Sequence, residues 1–124
     1  MNQPMNKPSK TILIADDDEG ILDATQAILE FEGYQVNITV DGSAVLRLQG
    51  KLPDLLLLDI WMSGQDGTDI CRQLKSNHAT KGLPVLMISA SRDIEQYAMD
   101  AGADDFLAKP YEMDELLEKV RNLL

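Results

Sequence analysis

Cysteine is nearly absent from this chain. Cys71 stands alone among 124 residues, which excludes an internal disulfide and any cysteine-based metal cluster. Between Ile70 and Leu74 it reads as a core residue. Histidine is as scarce: His78 is the sole imidazole, set among Ser76, Asn77 and Thr80 in a loop-like composition, and reads as an exposed bystander. Basic residues are few, 11 against 21 acidic, for a formal net charge of −10. Without clustered Lys and Arg to displace phosphate counterions, direct nucleic-acid binding is not expected. No apolar run approaches the roughly 20 residues of a membrane span, so no membrane association is expected. Met1 to Ser9 holds two prolines and no apolar core. It reads as a flexible extension rather than a signal peptide, and a cytoplasmic location follows. Residues 10–124 suit one domain with a single core.

What is present is an alternation of short apolar runs with helical periodicity, the pattern of repeated strand–helix units on a parallel sheet. Strand one spans Thr11 to Ala15, and Ile21, Leu22, Thr25, Ile28 and Leu29 mark one face of the first helix, which Gly33 is placed to end. Strand two, Tyr34 to Val40, alternates apolar and polar residues as an edge strand with one wet face would. The second helix uses Ala44, Val45 and Leu48, and Pro53 marks the turn into Leu55 to Leu58. Four consecutive leucines imply burial on both faces, hence a central strand. Ile70, Cys71 and Leu74 belong to the third helix, Val85 to Ile88 to strand four, and Ile94, Tyr97, Ala98 and Ala101 to the fourth helix. Strand five is Phe106 to Ala108. Met113, Leu116, Leu117, Val120 and Leu124 give the last helix a core-facing stripe. Right-handed crossovers restrict such a chain to a few doubly wound α/β sheets.

Ligands of open sheets bind beyond the carboxyl ends of the strands. The polar residues at that edge are Asp16, Asp17, Asp59, Ser89 and Lys109. Carboxylates within about 4 Å repel by about 1 kcal/mol per pair even in water, so a dense acid cluster calls for a cation. With oxygen donors only, Mg²⁺ or another small hard ion is favoured over zinc. Asp59 can then act as a nucleophile toward phosphorus, with Lys109 and the cation offsetting charge on the equatorial oxygens and the Ser89 hydroxyl donating to one of them.

The acidic pair after Ile12-Leu13-Ile14-Ala15, the run Pro53-Asp54-Leu55-Leu56-Leu57-Leu58-Asp59 with Asp66-Gly67 downstream, Ser89-Ala90, and Gly102-Ala103-Asp104-Asp105-Phe106-Leu107-Ala108-Lys109-Pro110 together resemble the receiver domain of two-component response regulators. The likeness covers Lys10 to Leu124. It implies a flavodoxin-like (βα)5 fold with a five-stranded parallel sheet in the order 2-1-3-4-5, and a phosphorylation-activated switch rather than an enzyme with a separate substrate. By the same likeness Asp59 is the phosphoacceptor for a histidine kinase phosphohistidine or a phosphotransfer protein, with self-catalysed transfer and autodephosphorylation. Asp17, Asp59 and the Trp61 backbone carbonyl are the implied direct Mg²⁺ ligands, and Asp16 the holder of a metal-bound water. Lys109 would contact the phosphoryl group across a cis Lys109-Pro110 bond, Ser89 would be the switch hydroxyl and Phe106 the switch aromatic. The surface of helix four, strand five and helix five would be read by a downstream effector or output domain and is the expected face for a homodimer.

Three positions depart from the family pattern. Ser63 replaces a frequent proline and should loosen its loop, Tyr111 replaces a frequent phenylalanine after Lys-Pro, and Trp61 is bulky enough to shield an acyl phosphate from water. Other acids read as plain structure: Asp18 and Asp66 as helix caps, Asp54 as a turn residue before strand three. The first rival is a receiver-like interaction module that is never phosphorylated. A haloacid dehalogenase type phosphohydrolase needs a second Asp two residues after the nucleophile, where Trp61 stands. A flavin or dinucleotide domain needs a phosphate-binding loop after strand one, and Asp16-Asp17-Asp18-Glu19 would repel phosphate.

Overall fold

The apolar runs become one parallel sheet whose strands are β1 (Thr11–Ala15), β2 (Gln35–Thr39), β3 (Leu55–Asp59), β4 (Val85–Ser89) and β5 (Asp105–Ala108). Their order in the sheet is β2-β1-β3-β4-β5, the flavodoxin-like doubly wound arrangement expected from the sequence. The computed structural model describes residues 9–48, 50–62 and 64–124. The expected N-terminal extension, apart from Ser9, and the Ser63 position therefore lie outside the described residues. Between β3 and the next helix, Trp61–Met62 and Gln65–Asp66 pair as a short antiparallel hairpin.

Residue alternation divides the core between the two sheet faces. Leu56, Leu58, Val85 and Met87 pack with Ile70, Cys71 and Leu74 of α3 (Gly67–Ser76) and Ile94, Ala98 and Ala101 of α4 (Ile94–Ala101). On the other face Ile12, Ile14, Leu55, Leu57, Leu86 and Ile88 meet Leu22 and Leu29 of α1 (Glu19–Phe31) and Leu116, Leu117 and Val120 of α5 (Met113–Leu123). The four leucines of β3 are each fully buried, as a central strand requires. Cys71 is also buried, and burial pushes its thiol up to about 11, so it stays protonated and inert. His78 is exposed in a turn.

Capping side chains position the strand-to-helix turns. Asp18 accepts from the Ile21 N–H at 3.2 Å and Asp66 from the Thr68 N–H at 2.8 Å, satisfying helix donors that have no internal partner. Asp54 accepts from the Thr11 N–H at 2.8 Å and returns its own N–H to the Thr11 carbonyl at 2.8 Å, which fixes the entry to β3 beside β1. All three acids thus do the structural work the sequence assigned them. Gly33, at φ 97°, carries the chain out of α1 in a conformation that glycine adopts without strain.

Two expectations need correction. The apolar side of strand two was expected to be buried, but Ile38 is 43% and Val40 54% exposed. Ile38 sits beside Ile14 on the α1 and α5 face, and the core there takes in Tyr34 and Val36 but stops short of this end of the edge strand; α2 (Gly42–Val45), a single turn that leaves Leu48 outside any helix, packs on the other face. Met113, counted in the stripe of the last helix, is 52% exposed. It is the first residue of α5 and lies beside α1 rather than under the sheet.

Candidate functional site

Four strand ends converge as a parallel sheet demands. Asp16 follows β1, Asp59 ends β3, Ser89 ends β4 and Lys109 follows β5. Carboxylate oxygens of Asp16, Asp17 and Asp59 lie within 4.8 Å of one another. Asp16 and Asp59 are buried and Asp17 is exposed, so the cluster opens to solvent on the Asp17 side. The Lys109 ammonium reaches into the cluster, 2.9 Å from Asp16 Oδ2 and 3.4 Å from Asp59 Oδ2. Asp59, Trp61, Ser89, Ala90, Ser91 and Lys109 line a cleft of about 430 Å³.

Electrostatics mark the cluster as unbalanced. Burial, reinforced by repulsion from Asp16, pushes the Asp59 carboxyl up from 3.8 to about 6, and Lys109 only partly offsets this. Burial works against the Lys109 ammonium, yet its hydrogen bond to Asp16 and the charges of Asp59 and Asp16 outweigh it and hold the amine above its ordinary value. Asp16 and Asp59 thus share the Lys109 ammonium in a partly dry cleft, with Asp17 alongside. The donor set is all oxygen and carries excess negative charge, which fits a small hard dication such as Mg²⁺.

The remaining candidates flank this cluster. Ser89 is 1% exposed, and its hydroxyl oxygen accepts from the Ser91 N–H at 3.0 Å, tying down the start of the loop to α4. Phe106 is half-buried against the α3 and α4 face, with the Lys119 ammonium 5.0 Å from its ring centre. Lys119 also pairs with Asp105 at 3.0 Å. Trp61 is 56% exposed at the rim of the cleft. The Lys109-Pro110 bond is cis.

Several supporting residues escaped the sequence reading. A side chain on Gly67 would run into the Asp59 carbonyl oxygen and come within 2.8 Å of Ile60 Cα, so α3 starts against the backbone that carries Asp59. The Gly67 N–H donates to the Ile60 carbonyl at 2.6 Å across the same contact. Gln65 accepts from the Gly42 N–H at 2.6 Å and donates to Asp41 at 3.1 Å, joining the hairpin after Asp59 to the turn before α2. The Asp66-Gly67 pair was the only visible signal for the first of these. Nothing local to Gln65 announces its partners 23 and 24 residues away.

Residues 12–121 match the response regulator receiver domain family. Over 116 residues the chain is 41% identical to the DNA-binding dual master transcriptional regulator RpaA of Synechocystis, covering 91% of this chain and 48% of that protein. The chain spans about half the length of the curated relatives it matches. Among solved structures, a response regulator from Chloroflexus aurantiacus superposes with a TM-score of 0.86 at 36% identity, covering 94% of this chain and 98% of that one. The response regulator TrrA of Thermotoga maritima, solved in complex with Mg²⁺ and BeF, gives a TM-score of 0.82 at 29% identity over 93% of this chain and 99% of its own.

Proposed function

The chain belongs to the response regulator receiver domain family, and on that premise we propose a phosphorylation-activated signalling switch in which Asp59 accepts a phosphoryl group from the phosphohistidine of a sensor histidine kinase or phosphotransfer protein. The supporting observation is the convergence of Asp16, Asp17 and Asp59 within 4.8 Å, with Lys109 bridging Asp16 and Asp59. Asp16, Asp17, Asp59 and the Trp61 carbonyl would hold Mg²⁺. When bound, the ion would neutralise the acids and offset charge on the transferring phosphoryl group.

An Asp59 carboxylate oxygen attacks phosphorus as the P–N bond to the donor imidazole breaks, and the imidazole departs with that electron pair. An acyl phosphate remains on Asp59. Lys109, held beside Asp59, contacts a phosphoryl oxygen and shields Asp59 from Asp16 during attack. Autodephosphorylation is the same in-line displacement with water as nucleophile, breaking the P–O bond to Asp59, and Trp61 at the cleft rim restricts that water.

Phosphorylation becomes a signal through Ser89. Its hydroxyl turns from the Ser91 N–H to donate to a phosphoryl oxygen, the loop to α4 is drawn inward, and Phe106 moves into the space released. The face of α4, β5 and α5 changes with it and is read by a downstream effector or output domain or by a second copy. A DNA-binding role belongs to RpaA as named. The net charge of −10 supports no direct nucleic-acid contact by these 124 residues. No helix of the described residues is long and apolar enough to cross a membrane, and we place the domain in the cytoplasm.

Trp61, the sole tryptophan, reports on the cleft. Its emission should change on adding Mg²⁺ and again with acetyl phosphate or beryllium fluoride, and intact mass should rise by one phosphoryl group on Asp59. Asp59→Asn should show no phosphoryl mass gain. An unlabelled wild type with no Mg²⁺ response would replace the switch by a receiver-like interaction module that is not phosphorylated.

A further inference from the structure

Two hydroxyls on opposite ends of the chain meet beside the acid cluster. Tyr111, two residues after Lys109, brings its phenol oxygen to 2.7 Å from Thr25 Oγ1 on α1, a contact that spans 86 residues of sequence. Thr25 is 2% exposed, and the groove around it is otherwise largely apolar, formed by Ile21, Ala24, Ile28, Pro110 and Met113. A buried hydroxyl in such a place costs stability unless it finds a partner. Tyr111 is that partner, and a phenylalanine there would fill the groove without it.

The position of the contact gives it a consequence. The Lys109 N–H donates to the Ser89 carbonyl at 2.9 Å, which anchors one end of the segment from 109 to 111 on β4. Tyr111 anchors the other end on α1. That helix begins at the Asp18 cap, and the Asp18 N–H donates to Asp16 Oδ1 at 3.0 Å, so α1 also carries the acid pair. The Tyr111 to Thr25 bond thus closes a loop: acid pair, α1, Thr25, Tyr111, Lys109 and back to Asp16. Resting on the phosphoacceptor reading above, we propose that Tyr111 and Thr25 form a latch that positions the Lys109 ammonium over Asp16 and Asp59. Tyr111 is a positioning residue that acts through Lys109.

Phosphorylation from acetyl phosphate at saturating Mg²⁺ tests this together with a readout that needs no metal, the rate at which an amine-reactive imidate labels Lys109 in chelator. Tyr111→Phe and Thr25→Val should each lower the maximal rate about threefold to tenfold, below the roughly hundredfold that a 1 Å misplacement can cost, with the acetyl phosphate KM unchanged. Each should raise Lys109 labelling severalfold. The double variant should match the singles, because both remove one bond, and Thr25→Ser should restore wild-type values. A melting temperature that falls while the maximal rate per folded molecule and Lys109 labelling stay at wild type would overturn the latch, as would additive effects in the double variant. Failure of the wild type itself to label on Asp59 overturns the phosphoacceptor reading instead, and Lys109 labelling in chelator still decides the latch.

Discussion

Replacing Asp59 by Asn should stabilise the metal-free domain. Because the Asp59 carboxyl is raised from 3.8 to about 6 in the folded state, the folded protein keeps a proton that the unfolded chain has already released. Stability therefore falls as pH rises from about 4 to about 6, and the deficit is complete above that range. The shift of about 2 units corresponds to at most about 3 kcal/mol. The Asp59 side chain is only 8% exposed, yet the cluster opens to water at Asp17, so about 1.5–3 kcal/mol is the expected gain after screening. For a domain of this size that is about 5–10 °C in Tm. Thermal melts of wild type and Asp59→Asn in chelator, at pH 7.5 and again below pH 4, measure it: the difference should be full at the first and vanish at the second. Adding Mg²⁺ should then raise the wild type by about 1.4 kcal/mol for each tenfold of concentration above Kd, and Asp59→Asn much less. A variant less stable than wild type at pH 7.5 in chelator, or a difference that ignores pH, would refute the claim that burial, reinforced by repulsion from Asp16, penalises the charged Asp59.

Removing Lys109 takes away the charge that lowers the Asp59 carboxyl; in Lys109→Met, carboxyl NMR titration in chelator should find Asp59 ionising above about 6, and an unchanged or lower value would contradict the geometry. Gly67→Ala forces a methyl against the backbone of Asp59 and Ile60 and should cost about 2–3 kcal/mol in denaturant melts, with weaker Mg²⁺ binding because the strand end that carries Asp59 must shift. Trp61→Ala should speed loss of the Asp59 phosphoryl group severalfold in a single-turnover assay, and an unchanged rate would remove Trp61 from the control of lifetime.

The sequence by itself determined the doubly wound sheet and the members of the acid cluster. Leu55 to Leu58 declare a strand buried on both faces, and parallel strands joined by right-handed crossovers must deliver Asp16, Asp59, Ser89 and Lys109 to one edge. Residue type and strand order suffice for that, since both are written locally along the chain. Caps such as Asp18 and Asp66 were legible for the same reason, because their partners lie two or three residues away. Tertiary structure decided what depends on how elements rotate and how closely they approach. The Thr25 to Tyr111 bond, the Gln65 tie to Asp41 and Gly42, and the contact that reserves position 67 for glycine each join segments packed from different elements. It also decided the exposure of Ile38 and Val40, whose alternation promised burial: a pattern names the face a strand would cover, but only neighbouring elements that reach it can provide the cover, and on this edge strand the core of the α1 and α5 face takes in Tyr34 and Val36 but not Ile38.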